Sequence, residues 1–224
     1  MGGVMEFNNS YDIYDKNATV QESVAENLIN FIKEDLSYNN VLELGCGTGI
    51  FTKKLIKKIN YNNMDLNDIF DTREYFNKEI YRKYLIGDME SMEFDSYSLV
   101  TSSSCLQWAK DLKELLKKIS KCTDNFIFSI YISGNLKEIK EHFNISLDYL
   151  SMEEIEKELS ELFLNVQCCE EELKIDFDTP LLALKHLKNT GVTGIGRAKI
   201  SEVKTFTSKS LTYKVAYFKC SNSI

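Results

Sequence analysis

Apolar and polar positions along this chain alternate in two rhythms, and the switches between them mark its elements. Val41-Leu42-Glu43-Leu44 is a branched apolar run broken by one acid. It reads as a buried strand ending in a turn over Gly45 to Gly49. Phe51, Leu55 and Ile59 then recur four apart and predict a helix over 48–59. The same reading predicts a strand at 60–64, a helix at 72–83 and strands at 84–86 and 97–102. A helix at 110–121 and a strand at 125–132 follow. Ahead of this series, Thr19-Val20-Gln21-Glu22 has the form of a capping box. Val24, Leu28, Phe31 or Ile32, and Leu36 supply the apolar face behind it. Strands alternating with helices predict an α/β fold, its parallel sheet covered by helices on both faces.

Beyond 133 the rhythm changes. Ser151-Met152-Glu153-Glu154 caps a helix whose apolar positions are Ile155, Leu159 and Leu162 or Phe163. An alternating strand follows near Val166 to Phe177, then a helical stretch at 181–188. Thr190 to Gly196 holds three glycines and cannot be regular structure. Leu211 to Phe218 reads as a closing strand. The expectation is one domain over 1–224, with an N-terminal helical cap in 1–36. An insertion within 133–210 is expected above the carboxyl ends of the strands, as a lid.

The turn at 45–49 sets the candidate chemistry. Its glycines let a ligand approach the main chain and permit positive φ, and the next helix offers its N-terminal amides. The pattern is E-x-G-x-G-x-G rather than the G-x-G-x-x-G of a pyrophosphate site, and no Gly-Lys-Ser/Thr follows. An acid two residues before the first glycine repels a pyrophosphate and suits a ligand with positive charge or several donors. S-adenosylmethionine offers both, in its sulfonium and its ammonium. The pattern resembles motif I of the class I methyltransferases. Asp65, 22 residues after Glu43, is then the expected clamp for two ribose hydroxyls at the end of the second strand. Asp88, in Gly87-Asp88-Met89-Glu90, is the acid expected at the adenine edge.

Composition narrows the class. A chain of 224 residues with 43% apolar content suffices for one full core. No apolar run approaches the ~18 residues of a membrane span, and the N-terminal stretch does not read as a signal peptide. Six cysteines without C-x-x-C and only two histidines, His142 and His186, argue against zinc and for free thiols in a reducing cytosol. His186 and the lysine pairs 53/54, 57/58 and 117/118 read as helix-surface residues. The net charge of −7 is uneven: residues 181–224 carry +7 and the remainder −14. That suggests an anionic partner on one side. Only three arginines are present, with no basic stripe bearing aromatics, so nucleic acid is not expected.

Several segments in order resemble the malonyl-acyl carrier protein O-methyltransferases of biotin synthesis. They are Phe7 to Asp15 with Ala18 and Val20-Gln21, then Leu106-Gln107-Trp108, Leu184 to Val192, and Leu211-Thr212-Tyr213-Lys214-Val215. The resemblance implies a Rossmann-like seven-stranded sheet, mostly parallel with an antiparallel last strand. It implies methyl transfer from S-adenosylmethionine, with S-adenosylhomocysteine as product, to the free carboxylate of malonyl-acyl carrier protein. Carried over residue by residue, it adds Tyr14, Gln21, Gly45, Cys46, Gly47, Thr48, Gly49, Leu66, Met89 and Ser103 to the three acids as cofactor contacts. Gln107, Trp108 and Arg197 become the substrate contacts, Arg197 being the first candidate for the carboxylate. Lys185, Lys188 and Lys199, with Arg197, become the docking face for the acidic carrier protein. No membrane and no obligate second subunit are implied. The chain departs from the family pattern at Ser103, Thr193 and Lys214. A carboxylate acceptor is already ionised at pH 7, since carboxyl pKa values lie near ~4, so no general base is expected. A small-molecule methyltransferase of the same fold, quinone-type or other, and a non-catalytic S-adenosylmethionine-binding scaffold remain the competing readings.

Overall fold

The protein is described from a computed structural model covering residues 19–32, 37–190 and 200–222. Its centre is a seven-stranded sheet in the order β3-β2-β1-β4-β5-β7-β6. The first five strands are β1 (Ser37–Leu44), β2 (Asn60–Asp68), β3 (Lys83–Ile86), β4 (Leu99–Ser103) and β5 (Asn125–Tyr131). All their pairings are parallel. β6 (Asn165–Asp176) and β7 (Ser210–Ser221) close the sheet, and β7 runs antiparallel to both β5 and β6. The chain winds outward from β1 in both directions. The switch point at the carboxyl ends of β1 and β4 is where such sheets open a crevice.

Side-chain alternation along the strands builds two cores. Val41, Met64 and Leu66 face the layer of helices α1 (Thr19–Phe31) and α2 (Thr52–Lys58). Leu42, Leu44 and Val100 face α3 (Leu112–Ser120) and α5 (Met152–Ser160). The capping box at α5 is formed, with the Ser151 hydroxyl accepting from the Glu154 amide and the Glu154 carboxylate accepting from the Ser151 amide. Helix α4 (Lys137–Phe143) packs on β7. So does α6 (Pro180–Thr190), through Ala183, Leu184 and Leu187. Phe206, just after the short α7 (Ile200–Thr205), packs its ring at a tilt against Phe143, with centroids 5.4 Å apart. These helices gather beside the β7 stretch that runs past Tyr131, the carboxyl end of β5.

Four expectations are corrected. Residues 72–83 form two 3₁₀ turns, Arg73–Tyr75 and Lys78–Ile80, instead of a helix. Side chains in this stretch anchor it to the glycine turn. Thr72 Oγ1 donates to Gly47 O at 2.5 Å, and Phe76, Tyr81 and Tyr84 pack ring against ring with centroids 5.9–6.4 Å apart. Strand β2 continues four residues past the expected end at 64, to Asp68. His186 is not on the surface. It lies 7% exposed, its ring 5.2 Å from that of Phe177, and burial lowers its pKa. Lys118 also differs from a plain solvated residue: its ammonium donates to Met89 O and Glu90 O and sits 4.3 Å over the Phe94 ring. All six cysteines are free thiols. No helix among the described residues is long and apolar enough to cross a membrane.

Candidate active site

Strand β1 ends at Leu44, and the turn that follows forms the floor of a cleft of about 450 Å³. Gly45 has φ +70°, and a Cβ there would lie 2.1 Å from Cys105 Sγ. Only a glycine lets the β1 turn pass the loop after β4 this closely. Gly47 has φ +50° and open space above it. Its amide donates to Asp68 Oδ2 at 2.8 Å. The walls come from the strand ends and the loops that leave them. β2 and its loop give Asn67, Asp68, Ile69 and Phe70, the β3 loop gives Gly87 to Glu90, and the β4 loop gives Ser103 to Cys105 with Trp108 and Lys110. Gln21 reaches the cleft from α1.

The cleft is acidic. Glu43 is fully buried, and desolvation, helped by nearby Asp68, pushes its carboxyl up to about 8 while the Thr52 hydroxyl opposes part of that rise. Its Oε2 meets no hydrogen-bond partner of normal geometry among the described residues, and neither does Gln21 Oε1. Asp68 is also raised by burial, though the Phe70 and Gly47 amides that donate to it work the other way. Asp88 accepts from the Glu90 amide at 2.9 Å, and Lys110 Nζ stands 3.9 Å from it. Buried carboxylates of this kind are costly without a partner, so the site fits a ligand that brings positive charge and several donors. Apolar area for a flat ring is supplied by Ile69, Phe70 and Met89.

The expected residues divide by position. Gln21, Glu43, Gly45, Cys46, Gly47, Thr48, Asp88, Met89, Ser103 and Trp108 come together around the cleft. Asp65 does not. It points to the opposite face of β2, three residues below the strand end, where Arg82 grips it at 2.6 and 3.0 Å and the Tyr97 hydroxyl donates to it at 2.9 Å. The acid at the carboxyl end of β2 is Asp68. Leu66 is core rather than wall, and the corresponding loop residue is Ile69. Gly49 is covered by Phe76, which a Cβ there would approach to 2.7 Å. Gln107 turns away from the cleft and donates to Ser104 O at 2.6 Å. Tyr14, Arg197 and Lys199 lie outside the described residues. Asp68 was discoverable in the sequence as the second acid of Asp65-Leu66-Asn67-Asp68. Ser104 carried no signal.

Residues 16–160 match the family described as a methyltransferase domain. Among known proteins, the malonyl-[acyl-carrier protein] O-methyltransferase of Calditerrivibrio nitroreducens is 32% identical over 223 residues, covering 92% of this chain and 90% of that one. This chain belongs to the malonyl-[acyl-carrier protein] O-methyltransferase family. A second member, from Bacteroides thetaiotaomicron, is 34% identical over 84% of this chain and 76% of its own length. The fold is shared more widely. The YcgJ protein of Bacillus subtilis superposes with a TM-score of 0.66 at 14% identity, over 90% of this chain and 99% of that one. Coverage of 92% of the chain carries the family likeness well past residue 160, through β6 and α6.

Proposed function

We propose that this protein transfers the methyl group of S-adenosylmethionine to the free carboxylate of a malonyl group carried on acyl carrier protein. The observation that carries this is the 32% identity to a malonyl-[acyl-carrier protein] O-methyltransferase over 92% of the chain, a likeness that extends beyond residues 16–160, the part matched by the general methyltransferase domain. When bound, the cofactor supplies an electrophilic methyl on a sulfonium, which leaves as a neutral thioether when the carboxylate oxygen takes the methyl. The cleft residues fit that group. Gly47 admits it against the main chain, Asp68 at the carboxyl end of β2 suits two ribose hydroxyls, and Glu43 is a buried acid suited to its positive charge. The acceptor is already ionised at neutral pH, so the protein's task is alignment and exclusion of water. The test is incubation with labelled S-adenosylmethionine and malonyl-carrier protein, with mass analysis of the product. The expected result is a methyl ester; its absence from a folded, cofactor-binding protein overturns the reading.

Glu43 gives this cleft a proton linkage. Its folded pKa, about 8 in the ligand-free protein, is raised above the unfolded value. The associated stability is therefore present at low pH and lost as pH rises toward 8. A cationic ligand reverses the shift, so binding expels the proton. At pH 6.5 the free ligand's amine, with a pKa near ~8, is already an ammonium and contributes little. Titration of S-adenosylhomocysteine at pH 6.5 in buffers of differing ionisation enthalpy should read a release of up to about one proton. Glu43→Gln should lose most of it. Equal release from both proteins contradicts the role of Glu43.

The carrier protein is proposed to dock on α6. Lys185 and Lys188 are exposed there, beside Leu181 at 68% and Leu182 at 44% exposure. An apolar spot followed on the same helix by two exposed lysines suits an acidic partner helix. The double reversal Lys185→Glu/Lys188→Glu should raise KM for malonyl-carrier protein about tenfold and leave KM for malonyl-coenzyme A within twofold. An unchanged KM for the carrier substrate sinks the docking face.

A further inference from the structure

Ser104 follows β4 in a left-handed conformation, φ +53°, that a residue with a Cβ seldom adopts. Its surroundings hold it there. The amide donates to Ser129 O at 3.1 Å and lies 3.2 Å from Ser129 Oγ, and the carbonyl accepts from Gln107 at 2.6 Å. Strain maintained by several neighbours at a cleft is a reason to ask what it positions. What it positions is a hydroxyl. Ser104 lines the cleft together with Trp108 and the glycine turn. Its Oγ is buried against the hydroxyl of Tyr131, at the carboxyl end of β5, and neither group finds another partner among the described residues. Burial raises the Tyr131 pKa far above its ordinary value, so it stays a neutral O–H.

We propose that the Ser104 hydroxyl, held in place by Tyr131, is a donor to the acceptor carboxylate. The proposal rests on the malonyl reading above and deepens it by naming a neutral recognition group in place of a cationic one. The chemistry favours a neutral donor. In the transition state an anion and a cation approach neutrality, so a strong cationic grip on the carboxylate would stabilise the ground state more than the transition state. A serine hydroxyl orients the oxygen without that penalty. Tyr131 is a positioning residue: it fixes where the Ser104 hydroxyl points and does not itself reach the acceptor.

Ser104→Gly separates this role from a structural one, because glycine keeps the left-handed backbone and relieves its strain while it deletes the hydroxymethyl group. The experiment compares the wild type with Ser104→Gly, Tyr131→Phe and the double variant. It measures KM and kcat with malonyl-carrier protein, affinity for S-adenosylhomocysteine, and Tm. Ser104→Gly should raise KM roughly tenfold while Tm and cofactor affinity do not fall. Tyr131→Phe should raise KM by less, and the double variant should be no worse than Ser104→Gly alone. A wild-type KM in Ser104→Gly overturns the proposal while leaving the malonyl reading intact. Failure of the wild type to form any methyl ester overturns both.

Discussion

Asp68→Ala abolishes measurable binding of S-adenosylhomocysteine with modest effect on folding, whereas Asp65→Ala keeps the ligand and loses stability. The contrast follows from where β2 puts its acids. Asp68 stands at the strand's carboxyl end, its oxygens taking the Gly47 amide at 2.8 Å and the Phe70 amide at 3.0 Å. Its removal leaves the glycine turn without its anchor and takes away the acceptor proposed for two ribose hydroxyls. Two charge-assisted hydrogen bonds of about 1.5–3 kcal/mol each put the loss at 100-fold or more in affinity. Asp65 is buried, with a side chain 1% exposed, and it neutralises Arg82, whose side chain is 36% exposed. Its removal leaves the buried Tyr97 hydroxyl without its acceptor while Arg82 turns to solvent, at a cost of about 1–3 kcal/mol in denaturant unfolding. Calorimetry and urea titration of the two variants decide the matter. Weakened ligand binding by Asp65→Ala at unchanged stability would reverse the assignment.

The misplacement of the clamp has a plain physical origin. In Asn60 to Asp68 only Met64 and Leu66 are apolar on one face, and the other face holds Asp65 and Asn67. Both are buried, at 0% and 2% exposure, because they are satisfied rather than because they are apolar. Asp65 meets Arg82 and Tyr97, and the Asn67 amide donates to Leu85 O and Gly87 O. Partners so distant in sequence leave no trace in local periodicity, so the local pattern ends the strand at 64. The stretch at 72–83 failed for a related reason: its apolar spacing is helical, but Thr72 and Phe76 are committed to the glycine turn. The strands around β1 and the turn itself were legible because their pattern is self-contained. Apolar branched residues make the strand, and glycines adopt the positive φ values that follow without strain. Ser104 and Tyr131 were illegible because their meaning lies in a contact between β4 and β5, which no spacing encodes.

The three glycines of the turn should separate into distinct phenotypes when each is replaced by alanine. All three have φ between +50° and +82°, so each alanine meets left-handed strain of about 1–2 kcal/mol. They differ in what the added methyl meets. At Gly45 it would stand 2.1 Å from Cys105 Sγ and 2.5 Å from its Cβ, adding an overpacking cost of about 1–3 kcal/mol. Cys105→Ala cannot rescue this, since the Cβ remains. At Gly49 the methyl would press on the Phe76 ring at 2.7 Å, and that ring is hemmed by Tyr81 and Tyr84. At Gly47 nothing lies within 4 Å, so the methyl would stand in the cleft itself. Gly45→Ala is therefore expected to lose about 3–4 kcal/mol of stability and Gly47→Ala only about 1 kcal/mol. Gly47→Ala should instead stay folded and bind S-adenosylhomocysteine at least tenfold more weakly, because the ligand and the methyl compete for one space. Denaturant unfolding and calorimetry on the pair measure both quantities. Equal stability of the two variants would mean that the β1 turn and the Cys105 loop do not approach as closely as described, and the division of labour among the glycines would fall with that contact.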